Sequence, residues 1–513
     1  MPERNYVPYM SFSTKLVNTL FSGRRKEIDY FRRNPAEVQQ KQLRMLVQNG
    51  SGTLLGMEFG LNPHMTAAEF SSQLPVFEYD TFKEYINRTR SGEKSVVWPG
   101  NTRWFAKSSG TTNDTSKFIP VTRDGLNDCH MRGPKDLVSM VCSLFPDTKA
   151  YDGKLLTLGG SRKLDPLGDH AQSGDLSAIL IGNTPVWARG RRVPKPSTAL
   201  IPDFEEKVRK IAEETVGRNI TAFAGVPSWN LVMINKILEY TGKNHMLEVW
   251  PNLELFIHGG MSFEPYREQY LKVFPSPRMK YIETYNASEG FFAIQDDPLK
   301  SDMLLMLDYG MYYEFQPMDK LGDASAVVPL EGVEQGVNYA MIITNSNGLW
   351  RYMIGDTVMF TSLDPYRIKI TGRTKLFINA FGEEIIIDNA ERAIKAACEA
   401  TGAQVLDYTA GPVYMGDRSN GAHEWIIEFS VEPDDLETFG RVLDETLRMV
   451  NSDYAAKRFK DTTLLKPQVR AVPRNTFYRW MAERGKLGGQ NKVPRLANDR
   501  KYLDELLTLI ANN

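Results

Sequence analysis

The chain has 513 residues, 42% of them hydrophobic and 24% charged, which excludes a disordered, coiled-coil or collagen-like protein and allows about two to four folding units. Basic residues number 62 and acidic residues 63, so the net charge of −1 argues against a general nucleic-acid binder. Three cysteines are too few for a disulfide framework, and we find neither a secretory signal nor a membrane-spanning apolar run, so a cytoplasmic protein is expected.

The first hundred residues are predicted to be mostly helical. Apolar residues recur at helical spacing between Ile28 and Asn49, and Pro35 stands where a new helix can begin. The later stretch EYDTFKEYINRTR predicts another helix, with Asp80 or Thr81 as its N-cap.

Two changes of character follow along the chain. Between about Trp98 and Ile370, short β-branched runs that end in Gly, Asn or Pro alternate with helical segments, which predicts an α/β sheet. The part from about Met303 to Met359 is denser in strands. After Gly372 a smaller unit begins, with helices predicted at 388–401 and 434–450 and a strand at EWIIEFSV, which indicates a compact α+β domain.

The polar loop from Lys107 to Pro120, KSSGTTNDTSKFIP, is the first segment suited to chemistry. It offers many hydroxyls and backbone N–H groups, which is what a chain of phosphate oxygens requires. Gly110 allows the backbone to approach a ligand closely, and Lys117 can add a positive charge. The loop lacks the Walker A pattern, and an ordinary polar surface loop is the alternative.

Two turns that follow apolar stretches present carboxylates. In YIETYNASEG, Glu289 follows a strand-like start and suits an oxygen-liganded Mg²⁺, while Tyr285 can stack on a purine. In LWRYMIGD, Asp356 can accept hydrogen bonds from both hydroxyls of a ribose. In both cases a solvated turn residue is the alternative.

Two glycine-containing segments lie nearer the C-terminus. TGRTKLFINAFGEEIII, residues 371–387, falls where the composition changes and is either an interdomain hinge or an ordinary strand–turn–strand. RGKLGGQNKVPRL, residues 484–496, carries Lys486 and Lys492, and a lysine in such a loop can reach negative charge that develops in a closed site. Most lysines in loops of this kind have no specific role.

The order of these segments resembles that of acyl-adenylate-forming enzymes of the firefly luciferase-like superfamily. More closely, and over almost its whole length, the chain resembles the Gretchen Hagen family of auxin-responsive acyl acid–amido synthetases. SSGTTNDTSKFIP is similar to the phosphate loop of that family, TYNASEG to its Tyr-x-x-Ser-Glu motif, RYMIGD to its Tyr-Arg-Val-Gly-Asp motif, and NKVPRL to its C-terminal lysine segment. Met353 and Ile354 stand where the plant members have Arg and Val, which indicates a divergent branch.

The resemblance implies a fold and a reaction. The fold would be α/β, with a large N-terminal adenylation domain (residues 1–372) that includes a β-barrel-like portion, and a small mobile α+β C-terminal domain (residues 373–513) that carries the lysine loop. The protein would be a ligase. ATP and a small carboxylic acid would give an acyl-adenylate and pyrophosphate, and the amine of an amino acid would then give an amide and AMP.

The resemblance also implies two cofactors, ATP and Mg²⁺, and the residues that would bind them. Glu289 would hold Mg²⁺, Asp356 would bind the ribose hydroxyls, and Lys492 would bridge the carboxylate and the α-phosphate during adenylation. The C-terminal domain would pivot near Arg373 to Lys375 and admit the amine. The remaining nucleotide-binding positions are the phosphate cradle of Ser108, Ser109, Gly110, Thr111 and Thr112 with Lys117, the adenine pocket of Gly259, Gly260 and Tyr285, and the further positions Ser288 and Arg373.

The sequence leaves two other functions open. One is an acyl-CoA ligase that uses the same adenylation step, and the other is a non-catalytic nucleotide-binding regulator, against which the intact Lys492, Glu289 and Asp356 argue. The acyl pocket is the least specified part, because Trp229 and Met233 can either contact the acid or pack in the core. The expected partners are a small carboxylic acid and an amino acid, with no nucleic acid and no membrane.

Overall fold

The computed structural model shows helices and strands alternating along most of the chain. It describes residues 11–108, 117–158, 164–184, 186–201, 203–260, 263, 266–374, 377–378, 380, 383, 385–414, 421–458, 464–487, 492–497 and 499–511. The helices are α1 (Phe12–Leu20), α2 (Ser22–Arg33), α3 (Pro35–Gly50), α4 (Leu54–Glu58), α5 (Ala67–Gln73), α6 (Tyr79–Arg90), α7 (Arg123–Gly125), α8 (Arg132–Leu144), α9 (Leu176–Gly182), α10 (Val186–Arg189), α11 (Pro196–Ala199), α12 (Phe204–Thr215), α13 (Pro227–Thr241), α14 (Arg267–Val273), α15 (Ile387–Thr401), α16 (Leu436–Val450), α17 (Ser452–Arg458), α18 (Thr476–Glu483) and α19 (Lys501–Ala511). The strands are β1 (Trp104–Ser108), β2 (Lys117–Val121), β3 (Lys154–Thr157), β4 (Asp165–Leu167), β5 (Ala171–Gly174), β6 (Arg192–Val193), β7 (Ile220–Gly225), β8 (Leu255–Gly259), β9 (Lys280–Asn286), β10 (Phe291–Ile294), β11 (Met303–Leu305), β12 (Met311–Pro317), β13 (Val328–Pro329), β14 (Asn338–Asn345), β15 (Tyr352–Leu363), β16 (Tyr366–Arg373), β17 (Phe377–Ile378), β18 (Ile385–Ile386), β19 (Gln404–Val413), β20 (Ala422–Val431) and β21 (Gln468–Val472).

Helix α3 packs on the large sheet through the face that the sequence predicts. Pro35 occupies the first turn of α3, as predicted, and the apolar face of the helix is buried in the main core. On the same face, the Gln39 amide donates hydrogen bonds to the backbone carbonyls of Leu307 and Met311 at 2.8 and 3.1 Å. These bonds fasten α3 to the start of β12.

Helix α6 begins earlier than the sequence predicts. The prediction of Asp80 or Thr81 as the N-cap is wrong, because the N-cap is Glu78. The Thr81 hydroxyl lies in the first turn and accepts a hydrogen bond from the Glu78 N–H at 3.0 Å. A threonine in the first turn whose hydroxyl accepts from the N–H of the N-cap residue has the same sequence signature as an N-cap residue.

One large sheet forms the frame of the N-terminal part. Its strand order is β13-β12-β14-β15-β16-β11-β10-β9-β8-β7-β3-β6. The strands from β9 to β6 are parallel, whereas those from β9 to β13 are antiparallel. The strand-dense stretch predicted from about Met303 to Met359 supplies most of the antiparallel part, which confirms that prediction. A second sheet, of order β2-β1-β5-β4, carries the two ends of the polar loop at Ser108 and Lys117.

The large sheet curls so that distant strands meet at one place. Strands β9 and β15 are separated in the strand order by β10, β11 and β16, which corresponds to roughly 19 Å in a flat sheet. Nevertheless, the hydroxyl of Tyr285 on β9 lies 2.7 Å from a carboxylate oxygen of Asp356 on β15. The curl therefore brings the carboxyl end of the parallel strands, where ligands bind in open α/β sheets, next to the β15–β16 hairpin.

The C-terminal part forms a smaller α+β unit around the sheet β19-β20-β21. Neighbouring residues of β20 face opposite sides, so Trp425 and Ile427 pack with α15 and α16, whereas Ile426 packs with α18 and α19. The helices predicted at 388–401 and 434–450 are confirmed as α15 and α16. The expected fold class is confirmed, while the limits 1–372 and 373–513 stay a prediction.

The helices of the described part are all too short or too polar to cross a lipid bilayer.

Candidate active site

A cavity of about 1110 Å³ lies between the carboxyl end of the parallel strands and the C-terminal unit. Its walls come from β8, β9, the loop after β9, β15, β16, α15 and the segment that follows residue 491. Motifs that are far apart in the sequence therefore meet around one space. The predicted site residues that line it are Lys117, Gly260, Tyr285, Ser288, Glu289, Asp356, Arg373 and Lys492.

The predicted phosphate cradle is only partly described. Ser109, Gly110, Thr111 and Thr112 lie outside the described residues, as does the side chain of Ser108, whose backbone ends β1. Lys117 begins β2, and its ammonium lies 5.5 Å from the ring centroid of Tyr79. Because β1 and β2 pair directly, the loop between them starts and ends at adjacent points, beside the cavity that Lys117 lines.

Asp356 lies at the centre of the described site. The Tyr285 hydroxyl donates a hydrogen bond to its Oδ2 at 2.7 Å, and the Arg373 Nε lies 3.0 Å from its Oδ1. The β15–β16 register pairs Asp356 with Arg373, so the backbone sets this contact. The charge of Asp356 raises the pKa of Arg373, and burial together with Asp356 raises that of Tyr285 well above its usual value. Tyr285 is thus a neutral phenol that donates to the same carboxylate that Arg373 contacts.

Glu289 is buried beside this group. Its backbone carbonyl accepts hydrogen bonds from the side-chain amides of Asn345 and Asn347 at 2.8 and 3.3 Å, which fix the turn. Burial raises the pKa of the Glu289 carboxyl, the charge of Asp356 raises it further, and Lys117 lowers it. A buried carboxyl with a raised pKa gains from an added cation, because the cation offsets the cost of burying its charge.

The two glycines of the predicted adenine pocket are favoured for different reasons, space at Gly259 and backbone conformation at Gly260. A Cβ on Gly259 would lie 2.2 Å from the backbone oxygen of Thr284 on the neighbouring strand. Gly260 has a φ of 83°, and a Cβ there would lie 3.2 Å from the Nζ of Lys492. Only glycine at position 259 lets β8 and β9 pair this closely, and the positive φ at position 260 favours glycine there.

Lys492 reaches the cavity from the C-terminal unit. The residues after it extend along β19, where the Ala410 N–H donates to the Arg495 carbonyl at 2.8 Å and the Ala497 N–H donates to the Ala410 carbonyl at 3.0 Å. The side chain of Lys492 is exposed to the open space of the cavity, but the protein around that space desolvates its ammonium and lowers its pKa to about 8, with a further lowering from Arg373 and an opposing effect of Asp356. The ammonium is therefore positioned in the site but only weakly held in its charged form.

The cavity carries an excess of positive charge that the motifs did not reveal. Among the described residues that line it, the acidic ones are Asp147, Glu283, Glu289, Asp356, Asp388 and Glu391. The basic ones are Lys117, Arg267, Arg278, Lys280, Lys300, Lys369, Arg373, Arg392, Lys395, Lys492 and Arg495. Apart from Arg495, which belongs to NKVPRL, the added cations come from scattered positions that carry no sequence signal.

The acyl pocket stays poorly defined. Met233 is fully buried in the core around α12 and α13 and is not among the described residues that line the cavity. Core packing, one of the two interpretations of this residue, is therefore the observed one. The side chain of Trp229 lies outside the described residues.

Comparison with known proteins places these features in a family. The GH3 family N-terminal domain matches residues 24–279, the GH3 family central domain residues 304–373, and the GH3 family C-terminal domain residues 388–501. Indole-3-acetic acid-amido synthetase GH3.4 of Arabidopsis thaliana is 23% identical, over 92% of this chain and 90% of its own. The 4-substituted benzoates-glutamate ligase GH3.12 of Arabidopsis thaliana is 29% identical, over 52% of this chain and 50% of its own.

The fold agrees with the sequence comparison. The structure of GH3.15 acyl acid amido synthetase matches with a TM-score of 0.77 at 17% identity, and the match covers 94% of each chain. The three domain models follow one another in order and together span most of the sequence. The chain belongs to the GH3 (Gretchen Hagen) family, as its motifs had indicated.

Proposed function

We propose that this protein is an ATP-dependent acyl acid–amido synthetase, which activates a small carboxylic acid as an acyl-adenylate and transfers the acyl group to the amine of an amino acid. The observation that carries the proposal is the meeting of Lys492, from the C-terminal unit, with Asp356, Arg373 and Tyr285 in one basic cavity. The related GH3.4 and GH3.12 are named for joining an acid to an amine or to glutamate.

In the first step the protein's task is to manage negative charge. A carboxylate oxygen of the acid attacks the α-phosphorus, the bond to the bridging oxygen of pyrophosphate breaks, and pyrophosphate leaves with the electron pair. Lys492 donates to the carboxylate and the α-phosphate and offsets the charge that they bring together. Asp356 accepts from the ribose hydroxyls, and Gly259, Gly260 and Tyr285 form the adenine pocket. The loop of Ser108, Ser109, Gly110, Thr111 and Thr112, with Lys117, holds the phosphates.

Mg²⁺ is the metal ion that this reaction would use, and the donor set fits it. Within the described residues, no group of three or more metal-binding side chains converges. A full protein cage is not needed, however, because Mg²⁺ is usually held by one or two carboxylates together with substrate phosphates. Glu289 would supply the carboxylate, and the bound ion would supply positive charge to the phosphate oxygens.

In the second step the amine completes the reaction. Its nitrogen bonds to the acyl carbon, the bond from that carbon to the phosphate oxygen breaks, AMP leaves with the electron pair, and the amine loses a proton to solvent. Rotation of the C-terminal domain near Arg373 would take Lys492 out of the cavity and make room for the amine.

A screen for pyrophosphate release tests the proposal. Carboxylic acids, beginning with indole-3-acetic acid and 4-substituted benzoates, are combined with ATP, Mg²⁺ and each amino acid, and the product is identified by mass spectrometry. An amide and AMP are expected. A thioester formed only when coenzyme A is added would instead identify an acyl-CoA ligase, and ATP binding without pyrophosphate release would identify a regulator.

The substitution Lys492→Ala tests the assigned lysine. Acid-dependent ATP–pyrophosphate exchange is expected to fall by about 100-fold or more, because a donor aimed at developing charge is lost, while ATP binding measured by calorimetry changes little. Lys486→Ala, in the same C-terminal segment, is the control and keeps its exchange rate. Unchanged exchange in Lys492→Ala would remove Lys492 from the mechanism.

A further inference from the structure

A contact between the two parts of the chain lies three residues from Lys492. The Arg495 Nη2 donates a hydrogen bond to the hydroxyl oxygen of Tyr266, next to the start of α14, at 2.8 Å. One turn further along α14, the Gln269 amide donates to the Val405 carbonyl of β19 at 3.2 Å. Helix α14 of the N-terminal part is thus docked against the edge from which Lys492 extends.

On the C-terminal side, Arg495 is held rigidly. Its Nη1 donates to an oxygen of Asp407 and to the Tyr408 carbonyl, the latter at 3.3 Å, and its guanidinium lies 4.6 Å from the centroid of the Tyr408 ring. Its backbone carbonyl accepts from the Ala410 N–H, as described above. A displacement of the Arg495 guanidinium would therefore also displace the backbone segment that carries Lys492.

The contact is also buried. Tyr266 is 2% exposed and Arg495 is 7% exposed. Burial raises the pKa of the Tyr266 hydroxyl, so the phenol is neutral and its oxygen accepts from the guanidinium, which Asp407 keeps charged. Loss of the acceptor leaves a buried N–H of a charged group without its partner, which costs more than loss of a neutral bond.

Resting on the proposed function, we infer that Tyr266 is a positioning residue whose bond to Arg495 holds the C-terminal unit in the orientation that places Lys492 in the cavity. It acts through Arg495 and touches no reacting atom. The bond must break when Lys492 leaves for the amide-forming step. It therefore favours the adenylate-forming step selectively.

The test uses two tyrosines in neighbouring turns. Tyr270 is equally buried, and its hydroxyl donates to the Pro227 carbonyl at 2.8 Å, within the N-terminal part. Tyr266→Phe and Tyr270→Phe each remove one buried hydroxyl, but only the first removes a bond between the two parts. A general loss of packing or stability would affect both variants alike.

Two half-reactions are measured with an acid found active in the screen. For Tyr266→Phe, acid-dependent ATP–pyrophosphate exchange is expected to fall by roughly 10- to 100-fold, while amide formation from the chemically prepared acyl-adenylate changes by less than about 3-fold. Tyr270→Phe is expected to change the ratio of the two rates by less than about 3-fold. Equal losses in both half-reactions, or the same ratio in both variants, would overturn the inference.

Coupling between the two partners gives a second check. Lysine lacks the planar guanidinium of arginine, so Arg495→Lys already loses the hydrogen bond to Tyr266. Adding Tyr266→Phe to this variant is therefore expected to lower the rate of ATP–pyrophosphate exchange by less than about 2-fold further. Full multiplication of the two single effects would contradict a shared bond.

Hydrogen exchange of the wild type and the two tyrosine variants needs no acid and so separates this inference from the proposed function. Amides of residues 404–410 in β19 are expected to exchange faster in Tyr266→Phe and at the wild-type rate in Tyr270→Phe. Unchanged hydrogen exchange of these amides in Tyr266→Phe would show that the Tyr266–Arg495 bond does not hold the C-terminal unit, even if the enzyme forms amides.

Discussion

At the scale of single residues, Lys492 combines two properties that its place in the cavity produces together. The protein around the cavity strengthens the interaction of its ammonium with any nearby anion, and it also desolvates that ammonium and lowers its pKa to about 8. A lysine that must be charged to offset phosphate and carboxylate therefore works near the upper edge of its charged range. Bound ATP shifts this balance back, because its phosphates favour the ammonium.

This balance predicts a pH dependence. Since the active form is protonated, kcat/KM for ATP–pyrophosphate exchange is expected to be high below pH 8 and to fall as the pH rises through about 8. The corresponding fall in kcat should lie at higher pH, because the phosphates raise the pKa in the complex. In Lys492→Arg, which keeps its charge at high pH, any remaining activity should lack this fall in kcat/KM. A wild-type profile that stays flat to about pH 9.5 would contradict the pKa assignment.

The site residues that the sequence predicted lie in continuous motifs, whereas those that it missed act through contacts between distant parts of the chain. Tyr285, Asp356 and Lys492 each belong to a short continuous motif, so the chain order alone indicated them, and the structure brings them to one cavity. Tyr266 and Arg495 are 229 residues apart. A single sequence contains no pattern at either residue that predicts a contact with the other. The positions between Ser109 and Thr112 remain a prediction.

At the scale of elements, the turn before β15 depends on one buried ion pair. Arg351 has a φ of 39°, and its Nε and Nη2 donate to the two carboxylate oxygens of Glu314 on β12, each at 2.9 Å. Its Nη1 donates to the carbonyls of Ser71, within α5, and of Leu74, which follows α5 directly. One side chain thus joins α5, β12 and the start of the strand that carries Asp356, five residues further on.

Removal of this side chain is expected to destabilise the protein strongly. Arg351→Met should lower the free energy of unfolding by about 3–5 kcal/mol, because Glu314 is left as an unpaired buried charge. Adding Glu314→Met should restore part of the loss, since no buried charge then remains. Urea denaturation compares the three proteins. A double variant that is less stable than Arg351→Met would show that the pair contributes through its packing instead.

Helices and strands were predictable from the sequence where an apolar face or a single residue such as proline determines their type or their start. Pro35 marked the start of α3, and the β-branched runs marked the parallel strands. The start of α6 was misplaced because Thr81 caps Glu78 from within the helix. The curl of the large sheet could not be read from the strands themselves, because it depends on how twelve strands accumulate twist.

At the scale of the whole molecule, charge is distributed unevenly. The chain has a net charge of −1, yet the described lining of the cavity is rich in cations from both parts of the chain. A near-neutral protein that concentrates positive charge in one cleft attracts a polyanion there and little elsewhere. The amino-acid composition showed that the net charge is near zero, but it could not show that the positive charges gather around the cavity.

The uneven charge predicts a dependence on salt. The KM for ATP is expected to rise roughly 3- to 10-fold between about 0.05 and 0.5 M NaCl, because the screening length falls from more than about 10 Å to less than about 5 Å. Steady-state kinetics at fixed free Mg²⁺ measure this, with sucrose as the osmotic control. A KM that does not change with salt would show that the cations outside the nucleotide contacts have no part in ATP binding.

The backbone pairing that carries Lys492 has a consequence for how the family can diverge. Peptide groups of Arg495, Ala497 and Ala410 make the bonds that align this segment, and such bonds are the same whatever side chains stand there. Proline is the exception at Ala410 and Ala497, since it has no N–H to donate. Over evolutionary time these peptide bonds can keep the reach of the lysine constant, while the buried side chains from Pro494 to Ala497 limit which substitutions the segment accepts.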